Sequence, residues 1–162
     1  GFSIIVENNY WDRTKGEMAS ECKDKNLLLE LMKQSVSCSS PGKARWVGLP
    51  PQHCGFCVPC LIRRAAMLKA FGFGNDSTVY TKQNVTELHQ NHSMGMGIQL
   101  RSFEYAIERI QKNPEIAKLL IHKPGPLPNN QEYLEGLADV YQRGLNEVGD
   151  FIQTSLSNEV SD

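Results

Sequence analysis

No apolar run in the sequence approaches the roughly twenty residues that a bilayer-spanning helix needs, which excludes a helical anchor within it. No basic-then-apolar leader opens the chain, so a secretory signal is expected to be absent or already removed. A charge surplus is missing too. Seventeen Lys and Arg stand against 18 Asp and Glu, a formal net charge of −1, and this excludes a chain that coats nucleic acid by bulk charge. There is no internal repeat and no low-complexity tract, which removes repeat and disordered architectures. Methionine is absent from the start: the first residue is Gly1 and the first methionine Met18. A fragment or processed product is therefore expected, with part of its function residing in residues outside it.

What is present fits one domain, or one compact domain with a helical appendage: 162 residues, 40% hydrophobic and 22% charged. That balance is globular and soluble. Charge is unevenly spread. Residues 10–70 carry ten Lys or Arg against five acids, whereas from Asn129 onward Arg143 stands alone against seven acids. A basic working half and an acidic tail half are expected, the latter equally readable as a solvated helix face.

Phe2-Ser3-Ile4-Ile5-Val6 is short and β-branched and predicts a buried strand, the edge of a larger sheet. Thr14-Lys15-Gly16-Glu17 fits a capping box and predicts a helix from Lys15 to about Cys22. Leu27, Leu28, Leu31 and Met32 give one apolar face to a helix over Asn26–Gln34. After a Ser/Pro/Gly-rich loop from Ser37 to His53, a helix should start near Pro59 and stop at Gly72 or Gly74. Residues 75–97 look polar and irregular, with a short strand at Thr78–Thr81. Leu100, Phe103, Ile107 and Ile110 predict a helix ending before Pro114, and Ile116, Leu119 and Leu120 begin another. Beyond the breaker Pro124–Pro128, the recurrence of Leu134, Leu137, Tyr141, Leu145, Val148, Ile152 and Leu156 predicts one long amphipathic helix. Its apolar face packs within the chain or docks a partner.

Four of the five cysteines lie between positions 38 and 60, three of them as C-x2-C-x2-C at Cys54, Cys57 and Cys60. Zinc takes four soft ligands in a tetrahedron, and a C-x2-C turn presents two sulfurs to one ion. Cys38 closes the set from the preceding segment, with His53 as the alternative fourth ligand. A closed shell of this kind makes the metal structural. The competing readings are a redox C-x-x-C, which lacks a thioredoxin-like setting, and disulfides, which lack an oxidising compartment. A cytoplasmic location follows. Cys22 is expected to be a small buried residue. Arg63 and Arg64, three and four residues past Cys60, either offset thiolate charge or bind a carboxylate or phosphate. His89, His92 and His122 are expected to be ordinary surface residues. Phe71-Gly72-Phe73-Gly74 lacks the strand and Lys-Ser of a phosphate loop, and the N-x-S/T triplets at Asn75, Asn84 and Asn91 carry little without secretion.

His53-Cys54-Gly55-Phe56-Cys57-Val58-Pro59-Cys60-Leu61-Ile62-Arg63-Arg64 resembles the C-G-x-C-x-x-C-x-x-R signature of the QueC family, the 7-cyano-7-deazaguanine synthases. Thr14-Lys15-Gly16-Glu17-Met18 is similar to that family's Lys-x-Glu segment, and Ser35-Val36-Ser37-Cys38 to its segment bearing the first zinc cysteine. The resemblance covers about residues 1–72. It implies the C-terminal part of a PP-loop α/β enzyme of the adenine-nucleotide α-hydrolase type. Such enzymes adenylate a carboxylate with ATP and let ammonia displace AMP, and this family continues to a nitrile. It further implies zinc on Cys38, Cys54, Cys57 and Cys60, and Lys15 and Arg63 beside the substrate's charged groups. The ATP-gripping motif S-G-G-x-D-S does not occur in this sequence. ATP and magnesium are thus expected only for an intact enzyme, and this chain alone is expected to be inactive.

The long loop between Cys38 and Cys54 and the helical stretch from about Ile98 to Ser157 are closer to the QueC-like components of Qat-type anti-phage systems. That likeness implies a protein or another base as the modified target, and hence a protein or small-molecule substrate. The implied fold is mainly α with a small α/β edge. It divides into residues 1–74 with the zinc knuckle, an irregular linker over 75–97 and a helical extension over 98–162. A protein partner or the missing N-terminal half would dock through the strand edge and the long C-terminal helix. The alternative is a zinc-stabilised binding module for a protein or, less favoured, nucleic acid.

Overall fold

The computed structural model describes residues 3–91 and 95–159 and is mainly helical. Helices α1 (Lys15–Ser20) and α2 (Lys25–Met32) lead into a 3-10 segment at Pro41–Val47. There follow α3 (Val58–Phe71), α4 (Val85–Gln90), α5 (Ile98–Lys112), a 3-10 turn at Pro114–Ile116, α6 (Ala117–Leu120) and the long α7 (Gln131–Glu159). The capping box forms as expected: Thr14 accepts from the Glu17 N–H, and the Glu17 carboxylate accepts from the Thr14 N–H. α3 starts at Val58-Pro59 and ends at Gly72, whose φ of 82° lets the chain turn off the helix.

No strand forms among the described residues. Phe2 lies outside them. Ile4, Ile5 and Val6 carry no regular structure and are 81%, 82% and 90% exposed, so the expected buried strand and the small α/β edge do not form among the described residues. β-branching favours an extended chain, but a strand exists only where a neighbour accepts its ladder. The strand expected at Thr78–Thr81 reduces to one parallel bridge between His53 and Tyr80. In the stretch expected to be irregular, Asn84 caps the Glu87 N–H and starts α4.

α7 folds back over the molecule. Its Val148, Phe151 and Ile152 join Leu61 and Ala65 of α3, Val85 and Leu88 of α4 and Leu100 of α5 in one apolar cluster. That core draws on residues from all three expected segments of the chain. A second cluster, Ile110, Ala117, Ala138 and Leu145, ties α7 to α5 and α6. The acidic helix therefore packs on its own chain along the predicted stripe. No described helix is long and apolar enough to cross a membrane.

Candidate metal centre and adjoining cleft

The cysteine cluster is built where the chain enters α3. Cys57 is the N-cap of that helix and Cys60 lies in its first turn, while Cys54 precedes it by one tight turn. Gly55 makes that turn possible. Its φ is 89°, and a Cβ there would stand 2.1 Å from the Lys82 carbonyl oxygen. The segment lies this close because the Lys82 N–H donates to the Cys54 carbonyl at 3.1 Å and the Thr81 N–H to the His53 carbonyl at 2.8 Å. Arg64 closes the turn from inside: it donates to the Gly55 carbonyl at 3.3 Å and to the Gln83 carbonyl, and stacks on Tyr80 and Phe151 at 5.0 and 4.9 Å.

Cys38 arrives from the other side of the long loop. The four Sγ atoms of Cys38, Cys54, Cys57 and Cys60 lie within 4.8 Å of one another, with Cys38–Cys57 and Cys54–Cys60 both at 3.9 Å. A disulfide needs about 2.05 Å, and all five cysteines are free. A tetrahedral tetrathiolate with metal–sulfur bonds of about 2.3 Å has edges of about 3.8 Å. The two 3.9 Å edges match that figure, and all the others lie within 4.8 Å. Backbone N–H groups also point at them, from Ser40 and Cys54 to Cys38 at 3.4 Å and from Cys57 to Cys54 at 3.3 Å. These donors stabilise thiolates, so the four cysteines could hold a metal ion.

Without a cation the thiols share protons unequally. The hydrogen bond between Cys54 and Cys60 holds Cys54 at about 4 and pushes Cys60 up, with burial adding to the rise. Burial likewise raises Cys38. His53 stands beside the set: its Nδ1 is 3.7 Å from Cys60 Sγ, and its Nε2–H donates to the Ser35 carbonyl at 3.1 Å. Cys38 completes the four-sulfur group, and His53 is its neighbour.

The segment that carries Cys38 is also one wall of a cleft of about 370 Å³. Ser35, Val36 and Ser37 line it together with Lys15, Met18 and Ala19 of α1, Cys22 just past that helix, and Ala66 and Met67 of α3. Lys15 and Arg63 both line it. They differ in their commitments. Lys15 is exposed, and no hydrogen bond or ion pair to it occurs among the described residues. Arg63 is 4% exposed and donates to Thr78 at 3.2 Å, to the Ser35 hydroxyl at 2.9 Å and to the Met32 carbonyl. Cys22, expected to be buried, is half-exposed on the cleft wall. Lys15, Met18, Ala19 and Cys22 recur at helical spacing, a signal that the sequence carried and the cysteine pattern overshadowed. The remaining histidines are scattered: His89 pairs with Glu104 at 2.8 Å, His122 lies near α6, and His92 falls outside the described residues.

No protein-family model matches this chain, and comparison with curated proteins and with solved structures finds no match either.

Proposed function

We propose that this chain is the zinc-holding part of a QueC-like ATP-dependent ligase, and that the cleft beside the four cysteines takes the substrate's carboxylate end. The observation that carries the reading is that the cysteine cluster and the cleft share one segment, Ser35–Cys38, and that Lys15 lines the same cleft. Four cysteines grouped alone among the described residues suit zinc in a closed structural site. Zinc there fixes the Ser35–Cys38 wall and takes no part in chemistry. The unpaired Lys15 ammonium supplies the charge that a carboxylate, and the acyl-adenylate made from it, would meet. Arg63 has three of its groups engaged, so it shapes the wall more than it grips a ligand.

ATP, when bound, supplies the adenylyl group that turns the carboxylate oxygen into a leaving group. The motif that would cradle it does not occur in this sequence, so an intact enzyme would have to supply it. The exposed, β-branched Ile4-Ile5-Val6 segment pairs with nothing among the described residues, and the ATP-binding half or a protein partner would provide the sheet in which it could become a strand. Within anti-phage defence the acid would belong to a protein or a small molecule of the 7-deazaguanine type.

The test is calorimetric titration of a 7-deazaguanine carboxylate into zinc-loaded protein, with native mass spectrometry of wild type and Cys38→Ser. One zinc per wild-type chain, weakened in Cys38→Ser, and binding that falls about tenfold in Lys15→Ala are expected. A metal-free wild type, or a zinc-loaded chain that ignores the acid, removes the reading.

One feature favours the second reading, a binding module. The 3-10 segment Pro41–Val47 presents Trp46 at 78% exposure, with Arg45 stacked on its ring at 5.1 Å and Lys43 two residues before. Salt-dependent retention of a single-stranded oligonucleotide, abolished in Trp46→Ala, would move the assignment there.

A further inference from the structure

We propose that α2 is a lid over the Lys15 cleft and that His53 latches it to the metal centre through the Ser35 carbonyl. α2 is poorly held by packing. None of its residues is buried, and Leu27 and Leu31 are 48% and 51% exposed. Its Leu28 and Met32 nevertheless line the cleft. Two polar fastenings hold it. At its start, Lys25 donates to the Ala70 carbonyl at 3.3 Å and stands 5.9 Å over the Phe71 ring. At its end, Arg63 takes the Met32 carbonyl and both oxygens of Ser35, the carbonyl at 3.4 Å.

The Ser35 carbonyl is the junction. On one side it accepts from Arg63, and on the other from His53 Nε2, whose opposite nitrogen lies against Cys60. His53 is fixed in turn by its backbone bridge to the Tyr80 segment and by the edge of the Tyr80 ring at 5.7 Å. A continuous chain of contacts therefore runs from a ligand sulfur through imidazole, carbonyl and guanidinium to the last residue of the lid. Cys38, three residues after Ser35, closes the same segment onto the metal a second time. When the metal leaves, four sulfurs lose their common centre, and the lid keeps only Arg63 at that end. Ligand access to the cleft then depends on metal occupancy: the metal holds the lid shut, and its loss opens the cleft. The coupling stands whatever acid the cleft takes.

Cys22 on the cleft wall is a native reporter, because in zinc-loaded protein the metal would occupy the other four cysteines. The experiment is peptide-resolved alkylation of Cys22 by N-ethylmaleimide in the zinc-loaded full chain, with zinc counted by native mass spectrometry. Loss of one latching hydrogen bond should speed alkylation about three- to tenfold in His53→Ala, with zinc retained. His53→Gln, which keeps an N–H for the Ser35 carbonyl, should return the rate toward wild type. Arg63→Lys cuts the same chain one contact further from the metal. It should speed Cys22 as well, and the double variant should be no faster than the quicker single one. Zinc-loaded Arg63→Lys and His53→Ala proteins that alkylate Cys22 at the wild-type rate overturn the proposal. Should His53→Ala fail to keep zinc, Arg63→Lys alone decides.

Discussion

Gly55 shows how much one residue carries. It sits between Cys54 and Cys57 at positive φ, and its missing Cβ is the space that the Lys82 carbonyl fills at 2.1 Å. Any side chain must push the Tyr80–Lys82 segment away, and with it the N–H groups that hold the carbonyls of His53 and Cys54. Gly55→Ala is therefore expected to cost about 3 kcal/mol and to loosen the metal, since strain at the turn and loss of contact act together. Urea unfolding of the zinc-loaded protein and the rate of zinc transfer to a chelating dye measure the two effects. A variant as stable and as slow to release zinc as wild type would show that the turn relaxes freely. Spacing made the four sulfurs legible, because a C-x2-C-x2-C pattern has few other uses. The role of His53 was not legible: nothing local says that a histidine beside a ligand turns its ring to a carbonyl 18 residues away.

Between elements, α1, α3 and α7 are joined by charges that the sequence scatters over 130 positions. Glu147 of α7 accepts from the Thr14 hydroxyl, from the Gly16 N–H at 3.2 Å and from Lys69 of α3 at 2.8 Å. Arg143, one turn earlier, pairs with Glu17 and donates to the Asp12 carbonyl at 2.9 Å. Burial alone would raise Glu17, but the Arg143 guanidinium, the Thr14 N–H and Lys69 outweigh it and hold the carboxyl at about 2. A carboxylate held below its ordinary 4.5 stabilises the fold fully above that pH and loses the contribution as pH falls from 4.5 towards 2. Glu17→Gln keeps the cap oxygen and removes the charge. At pH 7 it should cost about 2 kcal/mol, discounted for water at the pair, and the gap to wild type should close by about pH 2. Urea midpoints at both pH values test this, and a gap unchanged with pH would mean that the loss is one of packing.

Across the whole molecule, what was legible followed from local pattern. The seven apolar positions of α7 repeat at helical spacing, so its length and buried face could be read directly. α4 was missed because six residues are too few to show a period, and Ile4–Val6 misled because pairing depends on residues far away or outside the chain. The packing of α7 against the cysteine-bearing half was equally invisible, and it is where the fold depends on one side chain. Phe151 is 5% exposed, belongs to the central cluster, and lies under the Arg64 guanidinium that holds the Gly55 turn. Phe151→Ala opens a cavity between α7 and α3 and should cost about 3–5 kcal/mol. It also takes away the ring that Arg64 stacks on, so zinc release should quicken although no ligand is touched. Phe151→Leu refills most of the volume without the ring, which separates the two effects. It should recover most of the stability while zinc release stays faster than in wild type. Recovery of both together would mean that the metal turn responds to packing density alone, and the stacked arginine would then be a spectator.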